Sequence, residues 1–179
     1  NSVDIERNAA QLPVKVSKQG DVSTRSDYDN RGRLQERVDG AGNRIKYYYE
    51  ESTASNALSD TPVKIDYPTY SKRFHYDKMQ RLVRETNVVS QDKSYSREYE
   101  YDSGGNIIEA TDEQGRTWHY QYDALDRVTE LIDPTGNSTR ISYDYRGNIK
   151  SITAPNNSTV HYEYDKNNNL IKLTRPQQE

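Results

Sequence analysis

The feature that most constrains this chain is an internal period. Tyr-Asp recurs at Tyr28-Asp29, Tyr76-Asp77, Tyr101-Asp102, Tyr122-Asp123, Tyr143-Asp144 and Tyr164-Asp165, and the last four pairs are spaced by 21 residues each. Tyr49-Glu50 fits the same register, 21 residues after Tyr28. The gaps from Tyr49 to Tyr76 and from Tyr76 to Tyr101 are 27 and 25 residues, so those two units carry insertions of six and four. A fixed period of this length is the signature of a repeat architecture, in which each unit buries its faces against its neighbours.

Within a repeat the residues leading to the register Tyr alternate. Two positions upstream stand Ser26, Tyr47, Phe74, Tyr99, Tyr120, Ile141 and Tyr162. Three positions upstream stand Arg25, Lys46, Arg73, Glu98, His119, Arg140 and His161. Period-two alternation marks a half-buried strand. The register Tyr and the residue two before it then share one face, and the charges and histidines take the other.

A turn follows each register Tyr. Asp29-Asn30-Arg31-Gly32, Asp102-Ser103-Gly104-Gly105 and Asp144-Tyr145-Arg146-Gly147 share the form Asp-x-x-Gly. Asp at the first corner bonds the backbone two residues on, and Gly suits the fourth position of a type I turn. Elsewhere that slot holds Gln80, Asp126 or Asn168; Asn and Asp tolerate the left-handed conformation, and Gln80 suits it least. A second strand follows, with Leu34, Leu82, Ile107, Val128, Ile149 and Leu170 at its first inward position. Farther on, Leu131, Ile152 and Leu173 fall on the opposite parity. A β-bulge or burial of both faces explains that, and both explanations stay open. The second turn comes as Asp39-Gly40-Ala41-Gly42, Asp112-Glu113-Gln114-Gly115 and Asp133-Pro134-Thr135-Gly136, with Ala154-Pro155-Asn156-Asn157 as a variant.

Each unit therefore reads as strand, turn, strand, turn, with antiparallel neighbours. The expected fold is all-β: one block over residues 1–179 of about seven hairpin repeats, with fourteen strands in a curved, twisted sheet roughly 65 Å long. Stacked register positions predict a tyrosine ladder. Residues 1–12 read as a partial repeat or a disordered start, and Val14 to Tyr28 as a strand pair. Insertions fall near 50–66, where Glu51 to Asn56 looks like a loop, and near 87–95, where the hairpin tip looks lengthened.

Composition supports a thin sheet. Leu, Ile, Val and Phe total 30 residues of 179, about 17%, below the level at which a globular core is expected. Sixteen tyrosines replace them, and the net charge is only −3. Tyr carries a large ring and a polar tip, which suits a half-wet strand surface. A pI near 5.7, with acidic and basic residues mixed throughout, gives no reason to expect nucleic acid. Cysteine is absent, which removes disulfides and thiolate chemistry. No apolar stretch approaches the roughly 20 residues of a membrane helix. The start at Asn1 and the end partway through a repeat read as a fragment.

No catalytic or metal site is expected, and no cofactor. His119 and His161 share a repeat position but lie about four strands apart, roughly 19 Å, too far for one metal; His75 stands elsewhere. The many Asp residues each have a local backbone partner in a turn. No nucleophile elbow or phosphate loop is present. The aromatic face is the candidate for binding carbohydrate or a protein partner, with Tyr120 and Tyr162 as its test positions. Asn137-Ser138-Thr139, Asn156-Asn157-Ser158 and Asn157-Ser158-Thr159 fit the glycosylation pattern. Free strand edges invite edge-to-edge self-association.

These units resemble the YD, or Rhs, repeat family. The matching residues are the Tyr-Asp dyads, the turns Gly105-Asn106 and Gly147-Asn148, and Asp133-Pro134-Thr135-Gly136-Asn137, over residues 13 to 176. The resemblance implies a β-ribbon spiralling into a hollow shell that encloses the C-terminal part of the same polypeptide. That part is a toxic domain in bacterial Rhs proteins and Tc toxins; in teneurins the shell belongs to an adhesion receptor. The partners so implied are other repeats and a cargo domain of one parent chain, secreted or at the cell surface. The self-cleaving core segment of the family is not recognisable here.

Overall fold

The computed structural model describes residues 3–18, 21–50 and 60–176. The chain divides into two compact units, Asn1–Ser96 and Arg97–Glu179. Both are built only of antiparallel strands and turns among the described residues.

The first unit contains β1 (Val3–Arg7), β2 (Pro13–Lys18), β3 (Asp21–Tyr28), β4 (Leu34–Asp39), β5 (Arg44–Tyr48), β6 (Lys64–Asp66), β7 (Ser71–Tyr76) and β8 (Leu82–Ser90). β9 (Lys93–Tyr101) begins in this unit and ends in the second. The second continues with β10 (Ile107–Thr111), β11 (Thr117–Tyr122), β12 (Val128–Ile132), β13 (Ser138–Tyr143), β14 (Ile149–Thr153), β15 (Thr159–Tyr164) and β16 (Leu170–Thr174). Within each unit spatial order follows chain order, so consecutive strands pair. Short turns leave no room for any other connection.

β2 and β3 fall in the strand pair read from Val14 to Tyr28, and β1 lies within residues 1–12, read as a partial repeat or a disordered start. β1 and β2 form one further repeat, whose register position, 21 residues before Tyr28, holds Arg7. The Tyr-Asp pattern passes over it because Arg replaces Tyr there. The insertion near 87–95 is a longer hairpin: β8 and β9 each run nine residues to a turn at Gln91 and Asp92. The expected loop over Glu51 to Asn56 lies outside the described residues.

The parity change has one cause, a β-bulge. Tyr122 pairs with Val128, but Gln121 pairs with Glu130, leaving Thr129 without a partner. The same slip leaves out Gln35, Val83, Ile108, Lys150 and Ile171. One extra residue reverses the side-chain alternation beyond it. Leu131, Ile152 and Leu173 thereby come opposite Tyr120, Ile141 and Tyr162, on the aromatic face.

No hydrophobic side chain among the described residues is buried. In β7, β11, β13 and β15 the register Tyr and the residue two before it are half-buried, and the two residues alternating with them are exposed. Each unit is a single layer, wet on the charged side and partly dry on the aromatic side.

Candidate functional site

The recurring construction is the junction between one repeat and the next. Its first part is the turn. In Asp123-Ala124-Leu125-Asp126, the Asp126 amide donates to the Asp123 carbonyl at 3.1 Å, closing the turn, and the Asp123 amide donates to the Arg127 carbonyl at 2.9 Å. This is a type I turn followed by a left-handed residue, a favoured three-residue hairpin loop. The fourth slot has positive φ whether it holds Gly (φ 92° at Gly147) or not (φ 59° at Asp126, 62° at Gln80, 64° at Asn168). Both turn series use the geometry: Gly42, Gly115 and Gly136 fill the slot in the second series, and Asn157 in the variant.

The turn carboxylate closes the cage. Asp123 Oδ1 accepts the amides of Leu125 and Arg127 at 2.9 and 3.1 Å, while Oδ2 takes Arg127 Nε at 2.8 Å. Asp29, Asp77 and Asp112 do the same with Arg33, Arg81 and Arg116. Asp39, Asp102, Asp133, Asp144 and Asp165 use the side-chain amide of Asn43, Asn106, Asn137, Asn148 and Asn169 instead. Hydrogen bonds to a carboxylate favour its charged form. Side-chain bonds from Thr135 and Asn137, with the Asn137 amide, hold Asp133 down at about 2. The bond from Arg127 lowers Asp123, and that from Asn43 lowers Asp39.

The second part is the register Tyr. Its hydroxyl reaches back to the first inward residue of the preceding repeat's second strand. Tyr28, Tyr49, Tyr122 and Tyr143 donate to the carbonyls of Pro13, Leu34, Ile107 and Val128, at 3.0, 2.9, 2.7 and 2.8 Å. Tyr76 reaches the Pro62 carbonyl at 3.3 Å across the inserted unit. Burial raises the Tyr49, Tyr76 and Tyr122 hydroxyls above the usual tyrosine value, so they remain donors. The turn Arg completes the tie: Arg33 lies 4.3 Å from the Tyr49 ring centre, and Arg127 lies 4.3 Å from that of Tyr143. Asp, Arg and the next repeat's Tyr thus form a chain of ion pair and cation–π contact.

This differs from a ladder of stacked tyrosines. Register tyrosines sit on alternate strands, and an aliphatic strand position comes between them, as Val128 does between Tyr122 and Tyr143. The stacked ring pair found among the described residues is Tyr67–Tyr70, centres 4.5 Å apart, in the turn between β6 and β7.

Sequence reasoning placed Tyr, Asp and Gly but missed the tyrosine's acceptor and the role of the residue after the left-handed slot. That residue is Arg or Asn in turn after turn, a signal visible in the repeat.

The opposite face carries paired charges. Lys15 pairs with Glu6, Arg44 with Glu36 at 3.0 Å, and Arg140 with Glu130 at 3.0 Å. His119 Nδ1 stands 3.3 Å from Glu109. His161 faces Ser151 and Thr174, and His75 faces Arg84. No group of three His, Cys, Asp or Glu among the described residues is placed to hold a metal. Two open depressions lie on this side. One of about 570 Å³ in the first unit is lined by Lys15, Arg25, Glu36 and Arg44. Another of about 440 Å³ in the second is lined by Arg116, His119 and Asp133. No described helix is long and apolar enough to cross a membrane.

Hairpin after hairpin, tied at five junctions by a tyrosine hydroxyl on a carbonyl, defines an all-β tandem-repeat protein. Residues 95–138 and 143–179 match the family model described as RHS Repeat. Those residues carry repeats of the YD/RHS family. Solved structures share the fold. A Tc holotoxin pore from Photorhabdus luminescens aligns over 93% of this chain with a TM-score of 0.56 at 14% identity. A TcdB2–TccC3 structure without its hypervariable C-terminal region aligns over 93% with a TM-score of 0.57 at 14% identity. The chain spans about a tenth of the length of either, 10% and 11%. No curated protein sequence matches it.

Proposed function

We propose that the chain is a non-catalytic wall segment of a larger RHS-repeat shell, which encloses a toxin or effector domain at the C-terminal end of the same secreted polypeptide. The observation that carries this reading is the one-layer construction. Repeats bind one another through backbone pairing, at five junctions a Tyr hydroxyl and at two a turn Arg, and no described side chain is withdrawn into a core or a closed cavity. Such a sheet has two unlike surfaces and grows by adding units, which is what a wall requires. The fold shared with components of Tc toxin assemblies supports it.

The aromatic face as a carbohydrate platform for adhesion has less behind it. Five register hydroxyls are spent on the chain's own carbonyls, and guanidinium groups cover the rings of Tyr49 and Tyr143. Cryo-electron microscopy of the full-length parent protein tests the shell: a closed wall with density inside is the expected result, and a solid or open array refutes it.

A further inference from the structure

We propose that the turn Ala154–Ser158 is a seat for a carboxylate brought by another molecule. Among the described turns of this three-residue kind, the first corner is Asp or Asn everywhere but at Ala154. In eight of them the Asp Oδ1 accepts the amides two and four residues on, as Asp133 does from Thr135 at 2.8 Å and Asn137 at 3.0 Å. Asn8 Oδ1 accepts from Ala10 and Leu12 in the same way, both at 3.0 Å. The two amides converge on one point, and in turn after turn that point holds an oxygen.

The Ala154 turn keeps the backbone that makes this seat. The Asn157 amide donates to the Ala154 carbonyl at 2.9 Å, the Ala154 amide donates to the Ser158 carbonyl at 2.8 Å, and Asn157 has φ 62°. In the Asp133 turn the two matching bonds are 2.9 Å each. Both turns have Pro at the second corner, Pro155 and Pro134. The difference is the methyl group of Ala154, which carries no oxygen to the amides of Asn156 and Ser158. The Ser158 amide turns instead to Asn156 Oδ1 at 3.0 Å. That carboxamide is neutral and belongs to an exposed residue, so a carboxylate, the stronger acceptor, displaces it. The freed amino group of Asn156 is then a third donor. The Ser158 hydroxyl is a fourth, in the place from which Asn137 Nδ2 reaches Asp133 Oδ2 at 3.1 Å.

Charge favours an anion here. The five turn residues carry none of their own. Arg140 faces Thr153, the residue before the turn, and its side chain is exposed although Nε rests on Glu130 at 3.0 Å. Asp133, in the preceding turn of the same series, is held in its own cage. Bonds from Thr135 and Asn137 keep that carboxyl charged down to about pH 2, which is what a seat of this kind selects. The ligand chemistry is that of acetate or of an Asp or Glu side chain on a partner polypeptide.

The test is an NMR titration of the isotope-labelled 179-residue chain at neutral pH, with sodium acetate against sodium chloride at equal ionic strength. Saturable downfield shifts of the Asn156 and Ser158 amides are expected with acetate and not with chloride. Ala154→Asp supplies the carboxylate in place, so both amides start at the acetate-bound position and no longer respond. Asp133→Ala makes a second seat, and the Thr135 and Asn137 amides gain the response. A blocked aspartate, acetyl-Asp-amide, separates the two sources: tighter binding than acetate marks a partner's side chain, and equal or weaker binding marks a free carboxylate. Acetate that leaves Asn156 and Ser158 unmoved, moves them as chloride does, or moves them equally in Ala154→Asp overturns the proposal. These shifts do not depend on whether the parent protein forms a shell.

Discussion

Replacing Tyr143 by Phe isolates the tie between repeats. The change keeps the ring, its contact with Arg127 at 4.3 Å and the strand pairing, and removes only the hydroxyl that donates to Val128 at 2.8 Å. A hydrogen bond of this kind contributes about 0.5–1.5 kcal/mol net. Because the junction is only half-buried, water can reach a freed carbonyl, so the loss sits at about 0.5–1 kcal/mol. Tyr143→Ala also removes the ring's burial and the cation–π contact. Full truncation of a buried aromatic costs about 3–5 kcal/mol, and half burial brings this to roughly 2–3 kcal/mol. The assay is urea unfolding followed by fluorescence of Trp118, the single tryptophan, which lies in the same unit as Tyr143. A repeat array can lose cooperativity, and a probe inside the unit keeps the reading local. Thermal melting of a unit this size should show about 4–8 °C per kcal/mol. If Tyr143→Phe and Tyr122→Phe both match the unaltered protein while the alanine variants fall as stated, the hydroxyls do not tie the repeats and ring burial alone carries the junction.

Acid should loosen the turns in a definite window. Asp39, Asp123 and Asp133 titrate below their ordinary value in the folded chain, Asp133 at about 2. Their contribution is complete above the unfolded value near 3.8 and fades as pH falls toward 2; a midpoint in urea that holds steady from neutrality to pH 2 would contradict the cages. Gly147→Ala forces a Cβ into φ 92°, where only glycine is at ease, and should cost about 1–2 kcal/mol by the same unfolding assay. Gln80→Gly relieves the opposite mismatch at φ 62° and should stabilise the first unit by up to about 1 kcal/mol; hydrogen exchange at Asp77 and Arg81 amides would show it, and faster exchange there would refute it.

The sequence by itself determined the period, both turns and the two faces, because each rests on local physics. Asp at the first corner and Gly, Asn or Asp in the left-handed slot specify the turn wherever they occur, and alternation over six residues specifies which side of a strand dries. The tertiary structure decided three things that leave no such mark. The bulge falls on Gln35, Val83, Ile108, Thr129, Lys150 and Ile171, residues with nothing in common, because a bulge is set by pairing across the hairpin and not by the side chain left out. The acceptor of the Tyr28, Tyr49, Tyr76, Tyr122 and Tyr143 hydroxyls is a main-chain carbonyl, which every residue possesses. Whether residues 1–12 form a partial repeat or a disordered start was left open, because Arg7 stands where the pattern has Tyr, although it holds the same place in the pairing. What a residue does in its own turn is written in its identity; what it does to the next repeat depends on which backbone atoms the sheet brings beside it.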